Sequence, residues 1–160
     1  MAGRTGKPVT RVSAFWDTSA LVPLCVRREI TPRAMGLFKI HEVVVWWSTP
    51  LEVASALARL VRMQQLDATD YSRARKLAQT LADSWSVIQP SDALRANAAQ
   101  LVGRFDLRAA DALQLAAALV WCEHAPQDRV FLTANQKLRE AALLSGFDAR
   151  PMLGPARCGG

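Results

Sequence analysis

The chain has little of what builds zinc sites, disulfide frameworks or histidine catalysis. Its three cysteines, Cys25, Cys122 and Cys158, are scattered, with no CxxC pair and no histidine at ligand spacing. This usage argues against a disulfide framework and a zinc site, and it is typical of a reducing cytoplasm. No serine or cysteine motif accompanies His41 or His124, so we expect no catalytic triad and predict both histidines at the surface.

Phosphate-binding glycine loops and membrane segments are also missing from the sequence. The eight glycines form neither GxGxxG nor GxxxxGK[ST]. The basic N-terminal residues are not followed by an apolar stretch, as a signal peptide requires. The least polar stretch, residues 109–122, is interrupted by Asp111 and Gln114 and is too short to cross a bilayer. We therefore expect a soluble, cytoplasmic protein without membrane contact.

The composition is that of a folded, basic protein. The 160 residues are 51% apolar and 21% charged, which is typical of one globular domain with a hydrophobic core. The formal net charge is 20 − 14 = +6, which suits a polyanionic partner without demonstrating one. Six arginines of the predicted helices and their flanks either contact RNA or a partner or form a solvated face: Arg27, Arg28, Arg59, Arg62, Arg73 and Arg75.

Apolar runs and helix-start signals alternate along the chain. The run at residues 43–47 has no polar alternation, which fits a strand covered on both faces; at least one of Trp46 and Trp47 should therefore lie in the core. Further strands are predicted at residues 11–16, 87–88 and 129–132, with an edge strand at 147–149. Helices are predicted at residues 19–28, 31–40, 49–65, 70–85, 92–103, 108–122 and 136–144, the last ending at Gly146.

This order predicts an α/β fold with a central, mostly parallel sheet of about five short strands flanked by helices. Residues 11–150 are predicted to form a single domain. Residues 1–10 are predicted to be a flexible N-terminal segment, and residues 151–160 an irregular C-terminal tail.

Three carboxylates and one amide follow apolar strands or begin helices. They are Asp17 in FWDTSALV, Glu52 in STPLEVASAL, Asp111 in LRAADALQLAAAL and Asn135 in VFLTANQKL. Because the carboxyl ends of parallel strands share one edge of a sheet, we expect the three acids to meet in one cleft there. Carboxylates gathered in this way suit a hard divalent cation bound against phosphate.

Each of these residues also has an ordinary structural explanation. Asp17 and Asn135 are good N-cap residues, and Asp111 falls in the first turn of a helix, where a negative charge meets the helix dipole favourably. Thr49 and Glu52 have the spacing of a capping box, in which Glu52 would reach back to the amide of Thr49. Asp17 and Asp111, however, stand in apolar surroundings, where a carboxylate needs a partner or a cation.

The four segments together resemble the PIN-domain ribonucleases, and particularly the VapC toxins of bacterial toxin–antitoxin pairs. The resemblance extends over residues 12–149 and keeps the family's order and spacing. It implies a PIN-like domain and a metal-dependent endoribonuclease that hydrolyses RNA with a metal-activated water. It also implies a small cognate antitoxin protein and a homodimer as partners.

By the same resemblance, Asp17, Glu52 and Asp111 would be the ligands of Mg²⁺ or Mn²⁺. Thr18, Ser19 and Thr133 match hydroxyl residues that position substrate or water. Asn135 replaces the fourth acid of many family members, so a second tightly held metal is in doubt.

Two other functions remain open from the sequence. A PIN-like module that binds nucleic acid or protein with weakened catalysis is favoured by Asn135, but such a module has no chemical need for three acids. A phosphohydrolase of the haloacid-dehalogenase type would require an aspartate at the position of Ser19, and it ranks last.

Overall fold

The computed structural model describes residues 10–152. The predicted flexible segment, residues 1–10, and the predicted irregular tail, residues 151–160, lie almost entirely outside that range. Within it, strands and helices follow one another in this order: β1 (Val12–Trp16), α1 (Thr18–Cys25), α2 (Thr31–Ile40), β2 (His41–Trp46), α3 (Thr49–Arg62), α4 (Ala68–Ala82), β3 (Ser86–Ile88), α5 (Asp92–Phe105), α6 (Ala109–Trp121), β4 (Val130–Thr133), α7 (Gln136–Ser145) and β5 (Asp148–Pro151).

The five described strands form one sheet in the order β3-β2-β1-β4-β5, and every pairing is parallel. The predicted single α/β domain with a parallel sheet flanked by helices is confirmed. The chain runs outward from β1 through β2 to β3, then crosses to β4 on the other side of β1. The order therefore reverses between β1 and β4, and a ligand site of such a sheet lies outside the carboxyl ends at this point.

The two faces of the sheet carry separate hydrophobic clusters. Phe15, Trp46 and Phe131 point to a cluster completed by α5, α6 and α7. Trp16 and Val45 point to the opposite cluster, which α1, α2, α3 and α4 complete. Because adjacent residues of β1, β2 and β4 are buried on both faces, their sequences are apolar without alternation, as predicted for residues 43–47.

Several element ends differ from the prediction. Helix α4 begins after Asp67, whose Oδ1 accepts from the amide of Asp70 at 2.7 Å, and it ends at Ala82. Trp85, predicted within this helix, instead packs in the core. Helix α7 ends at Gly146, which has a φ of 106° as expected of a left-handed C-terminal cap.

One histidine and one tryptophan show where burial departs from sequence expectation. His41 is buried at the start of β2, with its Nδ1 3.1 Å from the carbonyl oxygen of Val12, so the predicted surface position of His41 is wrong. His124 is exposed, as predicted. Trp46 is buried, which confirms that at least one of the paired tryptophans is core, and Trp47 is 55% exposed.

None of the helices between residues 10 and 152 combines the length and the apolar character that crossing a membrane would demand.

Candidate functional site

The predicted site residues come from four separate elements around the switch between β1 and β4. Asp17 directly follows β1 and is the N-cap of α1, and its amide donates to the carbonyl oxygen of Leu132 in β4 at 2.9 Å. Glu52 lies in the first turn of α3, and Asp111 in the first turn of α6. Asn135 is the N-cap of α7, two residues after the end of β4.

Asp17 is the most buried acid of the group, with 5% of its surface exposed. Its Oδ2 accepts hydrogen bonds from the amide of Ser19 at 3.3 Å, the Ser19 hydroxyl at 2.5 Å and the Thr133 hydroxyl at 2.9 Å. Burial raises the pKa of the Asp17 carboxyl; these hydrogen bonds oppose the rise, and the nearby negative charge of Asp111 adds to it. The three donors all meet Oδ2, which leaves Oδ1 free of them.

The two hydroxyls beside Asp17 also join the start of α1 to the turn after β4. The Ser19 hydroxyl accepts from the amide of Ala134 at 2.8 Å and lies 3.2 Å from the Thr133 hydroxyl. The Thr133 hydroxyl in turn accepts from the amide of Asn135 at 3.0 Å. Each hydroxyl therefore has a backbone donor on one side and the carboxylate on the other, which fixes its proton toward Asp17.

Glu52 does not form the capping box that its spacing predicts. The residue before α3 is Ser48, not Thr49, so Glu52 is the fourth helical residue and lies one position too far for that motif. Its Oε1 accepts from the Ser48 hydroxyl at 2.6 Å, and its Oε2 accepts from the Thr18 hydroxyl at 2.9 Å. The predicted bond to the amide of Thr49 is wrong, and the carboxylate is directed toward α1 instead.

Gln114 completes the surroundings of Glu52, and sequence reasoning missed this residue. It follows Asp111 by three positions on α6 and is 1% exposed. Its Nε2 lies 3.1 Å from Oε2 of Glu52 and 3.3 Å from the hydroxyls of both Thr18 and Thr49. Its Oε1 is buried without a hydrogen-bond partner among the described residues. An amide within an otherwise apolar helix was the available signal.

Asp111 interacts electrostatically with both of the other acids. Its pKa is raised, mainly by partial burial and further by the negative charge of Glu52; the side chain of Asn135 and, more weakly, Arg108 lower it. Asn135 also caps α7, because its Oδ1 accepts from the amide of Leu138 at 3.2 Å. Asp111 thus interacts electrostatically with Glu52 on one side and with Asp17 on the other.

Among residues 10–152, the negative charge of this cluster is offset only weakly, through the effect of Arg108 on Asp111. The ion pairs between residues 10 and 152 lie at the surface, and Asp17, Glu52 and Asp111 take part in none of them. Burial and a neighbouring negative charge raise the pKa values of Asp17 and Asp111, so their ionised forms are costly. A bound cation would relieve that cost, and the donors present are all oxygens and amides, as a hard divalent ion prefers.

The carboxylates are nevertheless not packed as a direct three-ligand centre. Across residues 10–152, no group of three or more histidine, cysteine, aspartate or glutamate side chains is arranged to hold a metal ion. Both oxygens of Glu52 already accept hydrogen bonds from protein groups. The arrangement fits an ion held by one or two carboxylates with water completing its shell, the manner in which magnesium is usually bound.

All seven residues selected from the sequence lie in or beside this cluster. Asp17, Thr133 and Ser19 form one hydrogen-bonded group, and Thr18 and Glu52 form a second with Gln114. Asp111 and Asn135 lie between or beside these groups. No protein-family model matches this chain, and a search of curated proteins also found no match.

Proposed function

We propose that the protein is a metal-dependent endoribonuclease that uses Asp17, Glu52 and Asp111 with Mg²⁺ or Mn²⁺. The observation that carries the proposal is the electrostatic interaction of Asp111 with both Asp17 and Glu52: these three carboxylates come from separate elements, and none forms an ion pair within residues 10–152. The PIN-like order of the four segments, and the parallel α/β fold, support the same conclusion.

The ion would be held by Oδ1 of Asp17 and by the Asp111 carboxylate, with Glu52 acting through water. When bound, it would supply a nucleophilic water at neutral pH and charge neutralisation on the phosphate. The protein's own hydrogen bonds set the orientation of the ligands. Ser19 and Thr133 fix the Asp17 carboxylate, so the hydroxyls predicted to position substrate or water have a carboxylate as their immediate partner.

Glu52 is oriented in the same manner from three directions. The hydroxyls of Ser48 and Thr18 and the amide of Gln114 donate to it, which limits its rotation. A carboxylate held in this way can orient a water molecule in the cleft. The helix starts of α1, α3, α6 and α7 add positive dipole ends around the same cleft.

Cleavage of RNA with and without metal tests the proposal. The purified protein should cut a mixture of single-stranded and hairpin RNAs with Mg²⁺ or Mn²⁺, and EDTA should stop the reaction. Asp17→Asn and Asp111→Asn should each lose about 100-fold or more in rate, because each removes a charge from the metal's surroundings. Asp92→Asn is the matched control: Asp92 lies in the first turn of α5, as Asp111 does in α6, but its side chain is 95% exposed and pairs with Arg95.

A protein that binds RNA but does not cut it under these conditions would favour the alternative, a PIN-like binding module with weakened catalysis. Two observations favour this alternative. Asn135 stands in place of a fourth acid, and both oxygens of Glu52 already accept hydrogen bonds from protein groups. Equal cleavage by wild type and Asp17→Asn would place the activity elsewhere, in another site or a contaminant.

The proposal extends to the partners that the resemblance implies: a small antitoxin protein, and a second copy of the chain in a homodimer. Expression of the wild-type chain should arrest growth, whereas Asp17→Asn should not. Coexpression with a neighbouring small gene should restore growth, and light scattering should give twice the mass of the 160-residue chain. Harmless expression of a folded, metal-binding protein would contradict the toxin assignment.

A further inference from the structure

We infer that a groove beside Glu52 binds one nucleotide of the RNA strand next to the cleaved bond, with Arg59 on its phosphate. The inference rests on the proposed ribonuclease function. The groove has a volume of about 520 Å³ and runs along α3, between the start of α1 and the segment after α3. Thr18 and Glu52 line one end of it, and Arg59 and Met63 lie toward the other.

The groove is continuous with the carboxylate cluster. Thr18 donates to Glu52 at 2.9 Å, so the wall of the groove and the wall of the cluster are the same pair of side chains. A strand whose phosphate lies at the cluster must leave it along the surface, and this groove is an open path that begins there.

Arg59 is placed to meet the next part of such a strand. It follows Glu52 by seven residues on α3, which is two helical turns on the same face and about 10.5 Å along the axis. The side chain is exposed, and its guanidinium forms no ion pair or hydrogen bond with the described residues. The Arg59 guanidinium lies two turns along α3 from the acids and is not neutralised by another described side chain. It can therefore bind a phosphate group that the acids would repel.

The surface between these two ends suits a sugar and a base. Ser55 and Ala56 are small and leave the helix surface accessible, and Leu60 and Met63 offer apolar contact beside Arg59. Gln65 is the amide of this lining, which otherwise offers mainly Arg59 and small or apolar side chains, so phosphate charge and apolar contact should supply most of the binding.

Salt-dependent binding separates this role from a general effect of positive charge. Binding of a short single-stranded RNA is measured in EDTA by fluorescence anisotropy over a range of salt concentrations. Arg59→Gln should bind several-fold more weakly, and its plot of log K against log salt should be shallower by about 0.7, the slope of one phosphate contact on a single strand. Arg59→Lys should recover most of that slope.

Arg62→Gln is the matched control, because Arg62 is exposed on the same helix and carries the same charge but does not line the groove. It should keep the wild-type slope. Equal slopes for Arg59→Gln and wild type, or equal losses in both glutamine variants, would overturn the inference.

The same experiment keeps the two proposals apart. If the wild type cuts RNA and Arg59→Gln binds and cuts as well as it does, the groove assignment fails and the ribonuclease function stands. If the wild type binds RNA without cutting it and Arg59→Gln shows the shallower slope, the groove assignment stands and the catalytic function fails. If the wild type neither binds nor cuts RNA, both fail.

Discussion

Replacing Gln114 by leucine should lower activity while leaving stability nearly unchanged. The amide is buried on α6, and its Nε2 lies 3.1 Å from Oε2 of Glu52. Its Oε1 is buried without a partner among the described residues. The reverse orientation would set that oxygen against the Glu52 carboxylate, so hydrogen bonding fixes the amide as described. Leucine removes both the useful donor and the unsatisfied acceptor at similar side-chain volume.

The two effects on stability are opposite and of similar size. A hydrogen bond to a charged group is worth about 1.5–3 kcal/mol, and leaving a buried polar group unsatisfied costs about 1–3 kcal/mol. Their difference predicts a change in the free energy of unfolding within about 2 kcal/mol of zero. No second effect offsets the loss of activity, because Glu52 loses one of its three hydrogen-bond donors and its carboxylate rotates more freely. If the full free energy of that hydrogen bond stabilises the transition state, its loss slows cleavage about 10- to 100-fold.

Urea unfolding and initial cleavage rates measure the two quantities separately. Thr49→Val is the matched control: the Thr49 hydroxyl also contacts Nε2 of Gln114, at 3.3 Å, but forms no hydrogen bond with Glu52. It should therefore keep most of the wild-type rate. Wild-type cleavage by Gln114→Leu would refute the positioning role, and an equal loss in Thr49→Val would assign the effect to packing of α6 against α3.

The remaining predictions concern charge. In EDTA, the raised pKa of Asp17 means that the folded protein holds its proton more tightly than the unfolded chain, so the free energy of unfolding should fall as pH rises from about 4 through the folded-state pKa. In Asp17→Asn this decrease in the free energy of unfolding should be absent, and the variant should be more stable than the wild type at pH 7. A difference in urea midpoints between the two proteins that does not change with pH would contradict this. Asn135→Asp should bind Mn²⁺ at least about fivefold more tightly by calorimetry, since a unit charge near the ion contributes at least about 1 kcal/mol. Equal affinity would place Asn135 outside the field of the ion.

The fold was predictable because its signals are local and repeated. The unbroken apolar run of β2 indicates a strand buried on both faces, and helix-start residues such as Asp17 and Asn135 mark where the chain turns back. Element ends were less accurate where two signals compete. For α4, the range predicted from the spacing of Leu77 and Leu81 begins two residues late and ends three residues late. The N-cap at Asp67 determines the observed start.

The candidate acids stand out in the sequence, whereas some of the groups that orient them do not. A carboxylate after an apolar strand stands out in a sequence, because burial makes it costly. The role of Gln114 depends on α6 reaching Glu52 in α3, a long-range contact that the sequence does not show, and Ser48 resembles any polar residue before a helix. The capping box at Glu52 failed for a smaller reason: the helix begins at Thr49, one position earlier than the motif requires.

Asn135 shows how such a cluster can stay folded without a cation. Asp17 and Asp111 already have raised pKa values, and each carboxylate added nearby would raise them further. An amide at the fourth position keeps the helix cap, since asparagine and aspartate cap equally well, and its side chain lowers the pKa of Asp111 instead of raising it. Compared with aspartate, asparagine at position 135 should therefore lower the affinity for a second ion and raise the stability of the protein without metal. A site built in this way should hold one ion loosely, through water, and depend on Ser19, Thr133 and Gln114 to keep its acids in place.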